Sequence, residues 1–351
     1  MSVRTLGRVS RTAIATSWLP RFGPLIAIVT AALSGVLIAL ALTVSAPVSG
    51  ITQASTAIRV GLPIARAAID LAAVAAVGFA LLPLLAGERT PASARPVFAR
   101  ARTVVIASAL VWAVAALASL VLQTAELYRP DGTAVSFTDL RSYVDTVAGG
   151  KALLIVAGFA LVQALLAGAA TRLGRKVPPE LIVGCGLFAL LPLPVTGHAT
   201  MSHFAEHTMV LLELHIVSVV AWTGGLAAIV VLAARHRALL ATVLPRFSQL
   251  ATVCLAVAVA TGVLNGLAQF IENPLVRLWP DLFTTPYGQL LVAKTVALAV
   301  IAGLGGYTRW KLLPNVIRHR RTALVSFAVV ELALMGLAFG FAAVLGRTPL
   351  T

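Results

Sequence analysis

In a chain of 351 residues, 59% are hydrophobic and 11% are charged, against roughly 25% charged in an ordinary soluble domain, which excludes a soluble globular protein. The formal net charge is +15, but the basic residues stand in short clusters between apolar runs, which excludes a nucleic-acid-binding face and points to loops on one side of a membrane. The only two cysteines, Cys185 and Cys254, each lie inside an apolar run and exclude a disulfide scaffold.

A hydrocarbon core about 30 Å thick is crossed by about 20 mostly apolar residues at about 1.5 Å each. Residues 1–23 form a basic amino-terminal segment containing Arg4, Arg8, Arg11 and Arg21. The apolar run after it extends from Pro24 to Val44, longer than the roughly 7–15-residue core of a signal peptide. Val44-Ser45-Ala46 is followed by Pro47, a poor cleavage context, so this run reads as a retained first helix. The predicted spans are 24–46, 62–86, 103–125, 151–171, 180–198, 208–234, 247–270, 288–308 and 322–346. The fold class is therefore all-α, a polytopic transmembrane bundle of about nine helices. Residues 24–186 form the first group of spans, 187–346 the second, and 347–351 a short extracytoplasmic tail with no domain expected beyond it. With the amino terminus inside, 19 of the 27 basic residues fall in the inner segments, which sets the orientation as N-in/C-out. The loop at 126–150 carries Glu126, Asp131, Asp139 and Asp145, and Ser136-Phe137-Thr138-Asp139 reads as a capping box opening a short surface helix. The loop at 271–287 is turn-rich, with an interfacial aromatic in Trp279.

Ionisable groups inside a bilayer are costly, and each is a candidate for function. Here they are Arg66, Asp70, Glu213, His215, Lys294 and Glu331. From the predicted span ends, all but Glu331 lie about 10–13 Å from the outer end of their helices. Asn265 and Gln269 fall at that level too, and together these residues, with Glu331 of the last span counted among them, describe a polar vestibule; a plain Arg66–Asp70 pair, with the rest satisfying one another, is the simpler alternative. Lys294 is expected to neutralise Asp70 or Glu213. Four of the six histidines (His198, His203, His207, His215) and two of the four methionines (Met201, Met209) fall between 198 and 215. Imidazole and thioether donors suit copper, so this stretch is the predicted metal site. His236 and His319 stand among arginines and read as solvated, while Cys185 and Cys254 read as packing residues. Trp222-Thr223-Gly224-Gly225 and Gly262 supply small residues for close helix contact.

These residues resemble the copper resistance protein D (CopD) family. The resemblance rests on Gly197-His198-Ala199, His207, His215 and Ala221-Trp222-Thr223-Gly224-Gly225-Leu226. It continues through Arg246-Phe247-Ser248, Thr261-Gly262, Pro286-Tyr287-Gly288, Lys294 and Glu331, covering about 190–346. It implies a multi-pass protein of the bacterial plasma (inner) membrane, embedded in lipid and handling copper through outer-face histidines. A periplasmic copper-binding protein is an implied partner. So is the cytochrome c oxidase copper-assembly machinery, because some bacteria fuse this unit to such a domain and the chain looks like the amino-terminal unit of that kind. His203 is not part of the family pattern. No enzymatic activity is expected, and with no nucleotide-binding loop any transport would be passive or gradient-coupled. A copper-holding assembly factor and a haem-b electron carrier remain as alternatives, the second requiring two histidines facing each other at matched depth.

Overall fold

The computed structural model describes residues 19–43, 54–87, 92–196, 205–272, 278–312, 314 and 324–348. Among these the chain is helical, with no strand. The helices are α1 (Leu19–Leu42), α2 (Thr56–Ala86), α3 (Arg95–Tyr128), α4 (Phe137–Thr146), α5 (Ala148–Leu173), α6 (Pro179–Leu190), α7 (Ala205–Ala228), α8 (Arg237–Glu272), α9 (Leu278–Thr284), α10 (Pro286–Tyr307) and α11 (Leu324–Leu345). Nine of them, all but the short α4 and α9, belong to segments long and apolar enough to cross a membrane. The described residues therefore form the predicted all-α membrane bundle.

Helix boundaries depart from the sequence-based spans where a rule based on charge-free runs fails. Helix α2 begins at Thr56, not 62, because Ile58 and Leu62 bury themselves against Ala125 at the end of α3 and carry Arg59 into the helix. Helix α8 begins at Arg237 and contains Pro245, taking in basic residues read as loop. Helix α6 stops at Leu190 and gives way to a 3-10 turn at Leu193–Thr196, since Pro192 and Pro194 deny helical amide donors. The surface helix α4 opens as expected. The Asp139 amide donates to Ser136 Oγ at 3.1 Å and the Ser136 amide donates to the Asp139 carboxylate at 3.0 Å.

Helix α2 is the hub, touching α1, α3, α6, α7, α8 and α11. Lipid tails are as apolar as the side chains, so packing must come from close backbone approach. At the α2–α7 crossing a Cβ on either Gly78 or Gly224 would overlap the other helix's backbone. Gly336 and Gly340 of α11 play the same part against Ile28, Ala32 and Gly35 of α1. The two sequence groups of spans are thus interleaved, α1 with α11 and α2 with α7. The span His207–Ala233 is the most enclosed, at 72% buried, whereas Arg237–Ala268 and Pro286–Lys311 are 17% buried each. Helices α8 and α10 are peripheral and do not pack along one another.

Candidate functional site

Helix α2 places Arg66 and Asp70 one turn apart on one face. Arg66 Nε lies 3.2 Å from Asp70 Oδ1 and donates to Oδ2 at 3.3 Å. Asp70 is buried. The guanidinium reaches further, donating from Nη1 to Thr196 Oγ1 at 3.0 Å, while the Thr196 hydroxyl donates to the Leu193 carbonyl at 2.7 Å. Arg66 therefore ties the carboxylate to the 3-10 turn that follows α6. Lys294 of α10 lies within Coulombic reach of both Asp70 and His215. Asp70 is thus ion-paired to Arg66 and feels the charge of Lys294 at longer range. Of the two expected partners for Lys294, Asp70 is the one within Coulombic reach, and neither forms a contact ion pair with it.

His215 of α7 is held from α8. Its Nδ1 lies 3.0 Å from the Ala258 carbonyl and 3.2 Å from Thr261 Oγ1. A carbonyl oxygen only accepts, so the proton sits on Nδ1 and the Nε2 lone pair is left for another partner. The ring lies against Gly262, where a Cβ would stand 3.3 Å from Cε1. One turn further along α8, Asn265 is shielded from solvent with neither its amide nitrogen nor its oxygen hydrogen-bonded. Buried polar groups are rarely left unpaired without a functional reason. An imidazole with a backbone-anchored Nδ1–H is the arrangement found in metal-ligating histidines.

The other predicted site residues divide. Glu213 is half-buried, but two residues are roughly 200° around a helix, so it does not share the His215 face. His207 is exposed and Met209 half-buried. Eight residues on one helix separate His207 from His215 by about 12 Å along the axis, too far for one ion to bind both at about 2 Å. The two rings cannot share one metal shell. His198, Met201, His203 and the Gln269 side chain lie outside the described residues. Among the described residues no group of three or more His, Cys, Asp or Glu side chains converges on a metal position. Glu331 does not belong with the vestibule: its Oε1 lies 3.4 Å from Thr308 Oγ1. Thr308 is fourteen residues beyond Lys294 on the same helix, about 21 Å away. Cys185, which donates to the Phe159 carbonyl at 3.3 Å, and Cys254 are both free. Sequence reasoning missed Thr196, Ala258, Thr261 and Thr308 as partners. Thr261 stood within the Thr261-Gly262 motif and Thr196 directly before Gly197-His198-Ala199, while Ala258 and Thr308 stood in none.

The fold and site define a polytopic helical membrane protein with polar residues of α2, α7 and α8 inside the bundle and Lys294 of peripheral α10 within Coulombic reach of them. Residues 55–208 match the family model described as copper resistance protein D-like, N-terminal domain, and residues 241–345 match that of copper resistance protein D. The chain belongs to the copper resistance protein D family. The protein described as copper transport protein CutJ of Bacillus subtilis (strain 168) is 28% identical over 177 residues, 47% of this chain and 31% of that protein. The aligned stretch is thus less than a third of the relative's length. No solved structure matches. Arg66, Asp70 and Thr196 come from the first matched region, Asn265, Lys294 and Glu331 from the second, and His215 from between them.

Proposed function

We propose that the chain carries copper across the bacterial inner membrane, inward from the side of the acidic 126–150 loop, with the amino terminus in the cytoplasm. The observation that carries the reading is His215. Its Nδ1 is anchored on α8, its Nε2 is free, and it stands beside the Lys294–Asp70–Arg66 group and the unpaired Asn265 amide. His207 is the outer station, assisted by Met209 and by the histidines of the segment after Thr196. In the empty site Lys294 supplies beside Asp70 the positive charge that an arriving copper ion brings. A soluble copper-binding protein outside the membrane is the fitting donor, and copper is cargo rather than a resident cofactor.

Metal analysis and copper titration of the purified full chain test this. His215→Ala should weaken copper binding about tenfold or more, and Thr261→Val, which removes part of the anchor of the ring, about tenfold. His236→Ala should leave binding unchanged. Equal losses in all three variants would remove the assignment. A Soret band that vanishes in His215→Ala would replace copper by haem, and copper binding without uptake into vesicles would favour a copper-holding assembly role.

A further inference from the structure

Glu331 is the acidic group that the His215 site does not use. It lies seven residues into α11, about 10 Å along that helix, and is 4% exposed. Its hydrogen-bonding partner is the Thr308 hydroxyl at 3.4 Å. Thr308 opens the π-helical turn Thr308–Leu312 at the end of α10. Such turns break the regular hydrogen-bond register and concentrate at functional positions.

Among the described residues, the surroundings of Glu331 hold no charge that pairs with its carboxylate. On the α10 side, Tyr307 packs its ring 5.1 Å from that of Phe327, and Arg309 donates away to the Ser248 carbonyl and Thr252 hydroxyl of α8. Lys311 is exposed at the end of the turn. On α2 the ionisable groups are Arg59, Arg66 and Asp70, and on α7 they are Glu206, His207, Glu213 and His215, all further toward the other end of their helices. The π turn Ile229–Ala233 after α7 has none, and the described side chains of α1 have none. Among the described residues no cation forms an ion pair with Glu331. A carboxylate in such a place is expensive unless paired or neutral, and with no cation the remaining way to neutrality is a proton.

We propose that Glu331, with Thr308, is a proton-exchange site: it holds a proton in the resting chain and releases it as the transported cation passes. The proposal rests on the copper-transport reading and supplies its coupling ion. In the exchange the carboxylic O–H bond breaks heterolytically and the proton leaves to water at the end of the bundle where α10 meets α11. The carboxylate then faces the cation, and no electron moves. Residues 294 and 331 thus divide the task, a tethered cation at the first station and a removable proton at the second.

The full chain is reconstituted in vesicles carrying an internal pH dye, and a copper salt is added outside under an imposed pH gradient. Wild type should take up copper at a rate set by the gradient, with a proton flux in the same direction, because the proton is released at the end to which copper is delivered. Glu331→Gln should keep copper binding at the His215 site but lose both the gradient dependence and the proton flux, while Glu331→Asp should retain them. Infrared spectra of both proteins provide a check that needs no copper: the carbonyl stretch of a protonated carboxylic acid should be present in wild type at neutral pH and reduced by one group in Glu331→Gln. Thr308→Val should move the pH at which that band disappears. Wild-type vesicles that take up no copper would sink the transport reading, and the exchange with it. Uptake that is equally gradient-dependent in wild type and Glu331→Gln, or an unchanged carboxyl band, would overturn the proton site alone.

Discussion

Among single residues, Lys294 shows most clearly what burial demands. An ammonium among apolar helices is costly, and removing one member of a buried contact ion pair typically costs about 3–5 kcal/mol, whereas half-buried Lys294 feels Asp70 without a contact pair. Arg66 remains on Asp70 when Lys294 is removed, so Lys294→Met should cost less than that. Adding Asp70→Asn should recover part of the loss, whereas Glu213→Gln should recover none, because Asp70 is the group acting on Lys294. Copper should restore the single mutant more than it stabilises wild type. Melting curves of the detergent-solubilised variants, with and without a copper salt, read all of these, and rescue by Glu213→Gln instead would reverse the pairing. Outside the membrane, Asp139 accepts from the Ser136 amide and from Arg129 at 3.0 Å, and these bonds hold its carboxyl below the usual aspartate range. A depressed folded-state value means that the stabilisation is complete at neutral pH and fades only as the pH falls through that lower value. Hydrogen exchange in α4 should therefore stay slow through mild acid and quicken only below the ordinary aspartate range. Asp139→Asn should be fast at neutral pH already. The candidate residues were legible because charge is rare in this chain. Their partners were not, since Ala258 and Thr308 carry no signal in a sequence that abounds in alanine and threonine.

Helices in this bundle are positioned by where backbones touch. Glycine pairs such as Gly78–Gly224 are visible in a sequence only as small residues, and which one meets which depends on the crossing geometry. The prediction of close contact at Gly224-Gly225 holds: a Cβ on Gly224 would strike the Val74 carbonyl and Gly78, and one on Gly225 would press the Phe247 ring. Gly262, read in the same way, leaves room for His215. Overpacking a filled contact costs about 1–3 kcal/mol, and more where backbone meets backbone. Gly224→Leu should therefore lower the melting temperature sharply and, by moving α7 against α2, weaken copper binding at His215 as well. Gly158→Leu on α5, where a Cβ meets nothing within 4 Å, should change neither. A Gly224→Leu protein that melts like wild type would show that the crossing is looser than drawn. Proline explains the main error at this scale. Hydropathy carried the fifth span to residue 198, but Pro192 and Pro194 end regular helix at Leu190.

For the whole molecule, among the described residues, alternating spans bring Arg102, Arg246 and Arg309 to one end, and the first two bind helix ends there. Arg102 donates to the Ala170 carbonyl at 2.7 Å and Arg246 to that of Leu85 at 3.1 Å, in each case within the last turn of a helix, where cations complement the exposed carbonyls. The opposite end is closed by acidic partners instead, with Arg347 Nη2 at 2.6 Å from Glu126 Oε2 and Arg129 paired to Asp139. Because K/R bias in short loops sets topology, the end carrying Arg102, Arg246 and Arg309 should face the cytoplasm. A periplasm-active reporter inserted in the Gly132–Val135 loop should be active, and one inserted at Arg235-His236, between the Ile229–Ala233 π turn and α8, should be silent. A cytoplasm-active reporter should give the reverse pattern. Activity of one reporter at both positions would contradict an odd number of crossings between them. A clean inversion would keep the nine-span bundle but turn the transport direction around, placing Glu331 on the outer half and His215 on the inner.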